Sequence, residues 1–278
     1  MNSSKAFAPA NISCIFKIYK HKNPRWMGSY GVGFTLNEGV IADVSIAKRS
    51  EIVFNNKSIS FPTVKSVVGR LTKEKVKVYI NTKLPLGCGF GLSGASALAT
   101  SYAINNLLDL KRPYKELAII SHTAEVENKT GLGDVVNQFY GGFCLKLKPS
   151  SYFAVKKLPI DDINVYCRYF GKISTKSIVS NPLLRKKINE AATTALKKVQ
   201  KLIKNKNSVI FGGIIRISKK FAVDSSLLKN SDTIKTIENI EKNNGNASMI
   251  MLGNAVFSDM PFENSLKFKI TIQGAHIL

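Results

Sequence analysis

The sequence predicts an α+β fold, and three features of its 278 residues support that prediction. Segments that alternate between apolar and polar residues dominate the chain up to residue 82, the clearest helical patterns follow in groups, and strand-like segments return near the C-terminus. Strands and helices that are segregated in this way are typical of α+β proteins. An apolar fraction of 44% supplies enough side chains for one large or two medium-sized domains.

The N-terminal part is predicted to hold two hairpins, a helix and a further strand. Alternating patterns predict strands over 12–18, 34–36, 40–46, 51–54, 57–61 and 76–82. Turns are expected at 37–39, where the sequence is Asn-Glu-Gly, and at the pair Asn55 and Asn56, because these residues favour hairpin loops. The apolar spacing over 63–71 predicts a helix.

The two clearest helices of the chain are predicted over 93–108 and 113–128, the second opened by Pro113. Strands are expected over 143–147, 153–158, 164–170, 248–252 and 267–272, and further helices over 183–204 and 232–242. Turn residues at 149–151 and a shift in composition predict a domain boundary there. We therefore expect an N-terminal domain of residues 1–150 and a C-terminal α+β domain of residues 151–278.

A glycine-rich loop joins the strand over 76–82 to the small-residue helix that follows it. Strand, glycine loop and helix together present free backbone N–H groups at a helix N-terminus, which suits phosphate. Ser93 and Ser96 add hydroxyls that could reach a phosphate or its Mg²⁺. The alternative is a tight turn that caps a buried helix. The loop lacks the Gly-Lys-Ser/Thr of a P-loop and the later acidic residue of a dinucleotide site.

Carboxylates follow downstream, at Glu125 and Glu127 near the end of a predicted helix and at Asp134 in a glycine-broken turn. Two carboxylates beside a phosphate loop suit phosphoryl transfer, in which one holds a divalent ion and the other orients the attacking hydroxyl. Taken alone, Asp134 is instead a candidate N-cap for the segment 135–140, and the two glutamates are candidates for solvated surface residues.

Four stretches of the chain resemble the GHMP family of small-molecule kinases, and within it the archaeal pantoate kinases. They are Ala8-Pro9-Ala10-Asn11-Ile12, the loop from Pro85 to Ala97, Glu125 with Gly131 through Gly142, and Ala247 through Asn254. Together they cover the chain from residue 6 to about residue 257. The resemblance implies a ribosomal-S5-like N-terminal domain, a ferredoxin-like C-terminal domain and an ATP site between them.

The resemblance also implies a role for individual residues. Those expected around the ATP phosphates are Gly87, Gly89, Phe90, Gly91, Leu92, Ser93, Gly94, Ala95 and Ser96. Glu125 would hold Mg²⁺ together with Ser93 or Ser96, and Asp134 would face the acceptor hydroxyl. Ser29, in the segment from Gly28 to Gly33, would line the acceptor site, although a loop before the next strand explains that segment equally well.

Asn11 is a departure from the family pattern, in which many members carry a histidine or a basic residue. That group can lower the pKa of the attacking hydroxyl, and an uncharged amide has a smaller effect. Asn11 stays a candidate substrate-binding residue. Lys5, His21 and Arg25 are candidates to replace the missing charge, and the sequence does not choose among them.

The expected function is transfer of the ATP γ-phosphoryl group to pantoate, giving 4-phosphopantoate for coenzyme A synthesis, with mevalonate, homoserine or shikimate as alternative acceptors. A net charge of +23 suggests a second class, a nucleic-acid binder on an S5-like scaffold. The charge is spread along the chain, so nucleic acid is not the expected partner, and a homodimer is left open. Four separated cysteines and the lack of an apolar run of about 18 residues predict a cytoplasmic protein.

Overall fold

The computed structural model describes residues 3–160, 162–204 and 210–278. Its helices are α1 (Pro62–Leu71), α2 (Leu92–Leu107), α3 (Tyr114–Asn128), α4 (Asp134–Tyr140), α5 (Thr175–Ser180), α6 (Pro182–Lys204), α7 (Ile210–Asp224) and α8 (Ser231–Lys242). Its strands are β1 (Ser3–Tyr19), β2 (Gly28–Ile46), β3 (Glu51–Phe54), β4 (Lys57–Ser58), β5 (Val76–Asn81), β6 (Phe143–Lys146), β7 (Lys156–Leu158), β8 (Asn164–Lys172), β9 (Ala247–Met249), β10 (Gly253–Ser258), β11 (Leu266–Lys269) and β12 (His276–Ile277).

The described strands form two sheets. The larger has the order β12-β1-β2-β5-β3-β4, with β6 added to β2 and β7 to β6, and its pairs are antiparallel except for β3 with β5. The smaller sheet has the order β11-β8-β10-β9 and is antiparallel. Runs of strands and groups of helices confirm the predicted α+β fold.

The turn predicted at residues 37–39 is wrong, because β2 runs without a break from Gly28 to Ile46. Between the pairs Pro9–Gly39 and Asn11–Thr35, β2 carries two more residues than β1, so the polar segment forms an irregularity inside the strand. Gly39 lets β2 pass close to β1, because a Cβ at this position would lie 2.2 Å from the carbonyl oxygen of Ala8.

Most other elements agree with the prediction to within one to three residues at each end. The hairpin around Asn55 and Asn56 is confirmed, although its second strand stops at Ser58. The strand expected over 153–158 is only three residues long, because Phe153, at the end of the 3-10 turn Ser150–Tyr152, has a left-handed φ of 48° that an extended strand does not allow. Helix α7 was not predicted from the sequence.

Helices α2, α6 and α7 pack against β1 and join both halves of the chain in one apolar core. On α6 the buried side chains are Ile188, Ala192, Ala195, Leu196 and Val199, whereas its lysines lie on the exposed face. This confirms the interpretation of α6 as an amphipathic helix with a solvated basic side. The final strand β12 pairs with β1, so the chain returns to the larger sheet at its end. The division into 1–150 and 151–278 stays a prediction.

Among the described helices, none combines the length and the apolar character that crossing a bilayer requires. The four cysteines are buried and unpaired with one another. A cytoplasmic location and a homodimer stay predictions.

Candidate active site

A cavity of about 390 Å³ opens where the glycine-rich loop, β1, β2, the start of α4 and the start of α5 meet. Many of the residues that the sequence analysis singles out line this cavity. These are Ser29, Gly87, Gly89, Phe90, Gly91, Leu92, Ser93 and Asp134. The cavity size is in the range of ordinary small-molecule sites.

The glycine-rich loop enters α2 through three glycines with positive φ: 86° at Gly87, 90° at Gly89 and 62° at Gly91. Gly91 is the N-cap of α2 and has no side chain to bond the first N–H groups, which therefore stay available at this end of the cavity. An anion at a helix N-terminus is stabilised both by these donors and by the helix dipole.

The segment from Ala247 to Asn254 supports this loop from the C-terminal half of the chain. A Cβ on Gly253 would lie 2.1 Å from the Cys88 carbonyl oxygen, and one on Gly89 would lie 2.7 Å from the Ile250 side chain. Backbone thus packs on backbone. The segment 247–254 thus supports the glycine-rich loop by close contact, and its Met251 and Leu252 also line the cavity.

Glu125 is buried on α3, with 1% of its surface exposed. Burial raises the pKa of its carboxyl well above the usual value, Asp134 raises it further, and the hydroxyls of Thr130 and Ser93 oppose the shift. Within the described residues its Oε2 has no hydrogen-bond partner. Glycines make room for this oxygen, since a Cβ on Gly94 or Gly131 would lie 2.8 or 2.5 Å from it.

An unpartnered, buried carboxylate oxygen near serine hydroxyls is a donor set that fits Mg²⁺. Ser93 lines the cavity, whereas Ser96 is fully buried and does not. No group of three metal-ligating side chains occurs among the described residues, but Mg²⁺ in phosphoryl-transfer sites commonly uses one or two carboxylates plus phosphates. The residues present therefore fit this ion.

Asp134 is the first residue of α4, and the N-cap is Gly133, so the alternative role of Asp134 as an N-cap is wrong. Its carboxylate is bound across to β1 instead. Asn11 Nδ2 donates to Oδ1 at 2.6 Å, and Ser13 Oγ donates to the same oxygen at 3.3 Å. Burial raises the pKa of Asp134, while Lys146 and these two donors act in the opposite direction.

Lys146 on β6 is a site residue that the sequence analysis missed. It is only 3% exposed, and its Nζ donates to the carbonyl oxygen of Gly133 at 2.8 Å. Burial lowers its pKa, and the neighbouring acidic groups of Asp134, Cys144 and Glu125 oppose that shift. The signal in the sequence is a single lysine inside the otherwise apolar segment 143–147, a pattern that predicts a strand but not a site.

The three cations proposed to replace the missing charge near Asn11 lie elsewhere. Lys5 is exposed and forms an ion pair with Asp43, and His21 and Arg25 are exposed beside Asn23. None of the three lines the cavity. In the described structure, Lys146 is the cation that acts on Asp134.

Ser29 lies within β2 and not in a loop, so the loop interpretation of 28–33 is wrong. The strand places Ser29 on the cavity wall, where its backbone N donates to Ser150 Oγ at 2.8 Å. Glu127, two residues beyond Glu125, lies on the surface and accepts a bond of 2.6 Å from Arg70. The two glutamates thus have different surroundings, Glu125 buried in the interior and Glu127 at the surface.

Comparison with known proteins agrees with this geometry. A family model for the GHMP kinases N terminal domain matches residues 62–142. The chain is 34% identical to a pantoate kinase of Methanocaldococcus jannaschii, over 90% of each chain, and 30% identical to one of Methanospirillum hungatei, over 91% of this chain and 86% of that one. A solved structure described as a phosphotransferase related to the CoA biosynthesis pathway superposes with a TM-score of 0.84, at 24% identity, over 99% of this chain and 98% of that one. The chain therefore belongs to the GHMP kinase family of ATP-dependent small-molecule kinases, and it has the two-domain architecture of that family.

Proposed function

We propose that this protein transfers the γ-phosphoryl group of ATP to the primary hydroxyl of pantoate and so forms 4-phosphopantoate for coenzyme A synthesis. The choice of acceptor is supported by the pantoate kinases that match about nine-tenths of the chain. The observation that carries the proposal is the position of Asp134. Its carboxylate is held by two donors from β1 on the wall of the cavity into which the N-terminus of α2 opens.

ATP would place its phosphates at the N-terminus of α2. The backbone N–H groups from Gly89 to Gly94 supply the donors, and the positive-φ glycines let the phosphates approach the backbone closely. Glu125, with Ser93 or Ser96, would hold Mg²⁺. When bound, this ion neutralises negative charge on the phosphate oxygens.

Asp134 would orient the acceptor hydroxyl and take its proton as the oxygen attacks phosphorus. The bond from the γ-phosphorus to the β,γ-bridging oxygen breaks, ADP leaves with that oxygen, and the new bond joins the acceptor oxygen to phosphorus. Asn11 and Ser13 hold the carboxylate in place through the reaction. General-base assistance of this kind contributes about 10²–10⁴-fold to a rate.

The acceptor would lie between Asp134 and β2, with Ser29 as a hydrogen-bonding partner. Lys146 does not line the cavity itself, but its buried Nζ is bonded to the carbonyl oxygen of Gly133, which does. A cation in this place favours an acceptor that carries a carboxylate, because a buried charge is stabilised by an opposite charge nearby. Pantoate meets this requirement, and so do mevalonate, homoserine and shikimate.

A panel of acceptors tests the proposal. ADP release is measured with pantoate, mevalonate, homoserine and shikimate at equal concentrations, and the phosphorylated product is identified by ³¹P NMR. We expect pantoate to give the highest kcat/KM, with the phosphate on its primary hydroxyl. A higher kcat/KM for another acceptor would contradict the assignment of pantoate and leave the kinase assignment in place.

A further inference from the structure

A pair of buried amides lies behind the Asp134 carboxylate. Asn137 is one turn after Asp134 on α4 and is 1% exposed, and Asn11 on β1 is completely buried. Asn137 Nδ2 donates to Asn11 Oδ1 at 2.8 Å, and Asn11 Nδ2 donates to Asp134 Oδ1 at 2.6 Å. The three side chains thus form one chain of hydrogen bonds that ends on the carboxylate.

The direction of this chain follows from the chemistry of an amide. An asparagine side chain has a donor end and an acceptor end, and a carboxylate only accepts. Because the Asp134 carboxylate only accepts, Asn11 turns its NH₂ group toward Asp134, and its oxygen is left to accept from Asn137. The reversed amide would place oxygen against oxygen at Asp134 and NH₂ against NH₂ at Asn137, so both contacts would be lost.

Asn137 makes no comparable contact with its other end. Within the described structure its Oδ1 is buried and without a hydrogen-bond partner, and the two preceding residues, Val135 and Val136, are apolar and fully buried. A buried amide oxygen without a hydrogen bond destabilises the folded protein, and an apolar side chain at this position would avoid that cost. The hydrogen bond to Asn11 is a contact that an apolar side chain could not make.

We propose that Asn137 is a positioning residue that acts through Asn11 to hold the Asp134 carboxylate toward the acceptor. The proposal rests on the proposed function, because it takes Asp134 as the group that meets the acceptor hydroxyl. It also accounts for the departure at position 11. The uncharged side chain at position 11 is bound at both ends, with its NH₂ on Asp134 and its oxygen on Asn137.

A double-mutant cycle of Asn137→Ala and Asn11→Ala tests this role. Each single variant should lower kcat by roughly 10–10²-fold, since small misplacements of reacting groups cost about that much, and should change KM for ATP and acceptor by less than about 3-fold. Because Asn137 acts through Asn11, the double variant should be no slower than Asn11→Ala alone. The cycle is run with whichever acceptor wild type phosphorylates fastest, so that a wrong assignment of pantoate does not affect it.

Asn189→Ala is the matched control. This amide also reaches β1, donating to the Ile18 carbonyl oxygen at 3.0 Å and accepting from the Ile18 N–H at 2.8 Å, but it lies on α6 and lines no part of the cavity. It should lower the melting temperature and leave kcat within about 2-fold of wild type. Asn137→Ser is the second variant, since its hydroxyl is too short to reach Asn11 and should reproduce the loss in kcat. Independent, multiplying effects of Asn137 and Asn11 on kcat, or a change confined to KM or to the melting temperature, would overturn the proposal.

Discussion

Two glutamates on one helix show how strongly the surroundings decide what a residue can do. Glu125 and Glu127 are two positions apart on α3, and residues with that spacing do not share a helix face. Glu125 is enclosed by Gly94 and Gly131, with one oxygen unpartnered, whereas Glu127 binds Arg70 at the surface. The first arrangement suits a cation-binding group and the second an ordinary surface ion pair.

Glu125→Gln should therefore impair catalysis and raise the Mg²⁺ requirement, because the variant keeps the shape of the side chain and loses its charge. We expect kcat at saturating Mg²⁺ to fall by roughly 10²-fold, comparable to the loss of one electrostatic group at an active site. The measurement is ADP release as a function of Mg²⁺ concentration. Glu127→Gln is the control and should follow the wild-type curve, and the opposite ranking of the two variants would contradict the assignment.

Glu125→Gln should also be more stable than wild type at alkaline pH. Burial raises the pKa of Glu125, so the stability contributed by its protonated form is lost as the pH rises through the folded-state value. Glutamine does not ionise and avoids that loss. A melting temperature above that of wild type at pH 8, in the absence of Mg²⁺, would accompany the loss of turnover.

At this scale, the sequence indicated the residues that belong to motifs and missed those that do not. Glu125 and Asp134 belong to one glycine-containing motif, in which Gly131 and Gly133 stand between them. Lys146 and Asn137 belong to no motif. The pairing of β6 with β2 brings Lys146 near Asp134, and the packing of α4 on β1 brings Asn137 to Asn11. A lone polar residue in a buried strand or helix was a signal, but without a partner in the sequence it does not say for what.

The glycine loop and α2 act as one element, in which the loop's backbone conformation sets the direction of the helix N-terminus. Gly91 has φ of 62°, and a Cβ there would lie 3.1–3.3 Å from Gln138, Asp134 and Asn11. A side chain at this position would strain the backbone and press on the side chain of Asp134.

Gly91→Val should therefore weaken ATP binding by at least about 10-fold, since a charge-assisted hydrogen bond is worth roughly 1.5–3 kcal/mol. Calorimetric titration with ATP measures the effect. Gly69→Val is the matched control, because a Cβ at Gly69 in α1 meets nothing within 4 Å. Unchanged ATP affinity in a folded Gly91→Val protein would exclude the loop from the nucleotide site.

Helix α3 also carries His122, whose side chain is fully buried and whose Nε2 lies 2.9 Å from the Met27 carbonyl oxygen. Burial lowers the pKa of His122 to about 4. As the pH falls from 7 to about 4, the unfolded chain takes up a proton at this imidazole and the folded chain does not, so stability falls.

The loss from His122 amounts to about 3 kcal/mol by pH 4, from about 2.5 pKa units at 1.36 kcal/mol each. His122→Gln keeps a donor near the position of Nε2 and does not titrate. Urea unfolding from pH 7 to pH 4 should show a smaller loss of stability for this variant than for wild type by about that amount. Parallel stability curves would contradict a neutral, buried His122.

Among the elements, the helices α1, α2, α3, α6 and α8 were predicted to within one residue at each end, whereas α5 and α7 were not predicted. The strand β2 was predicted poorly at 37–39, where Asn-Glu-Gly is a turn sequence by composition. The glycine serves the close contact of Gly39 with β1, and Asn37 Oδ1 accepts a bond from the Lys269 N–H at 2.9 Å. Both partners are distant in sequence, so no local pattern could have revealed them.

For the whole molecule, the site depends on contact between the two halves of the chain. Gly253 and Ile250 support the glycine-rich loop, and the C-terminal strand β12 pairs with β1. The family resemblance predicted this architecture, whereas periodicity alone predicted only the order of elements. The net charge of +23 is carried largely by exposed side chains such as those of α6, and it favours the approach of ATP and an anionic acceptor without deciding the function.

The central claim is that Asp134 directs the acceptor hydroxyl during phosphoryl transfer in this cavity. Its direct test is the rate of ADP release with pantoate, less the rate without it, in wild type and in Asp134→Asn, with ATP affinity measured separately by calorimetry. We predict a fall in kcat of at least about 10²-fold and an ATP dissociation constant within about 3-fold of wild type. Full turnover by folded Asp134→Asn, with any acceptor, would contradict the claim.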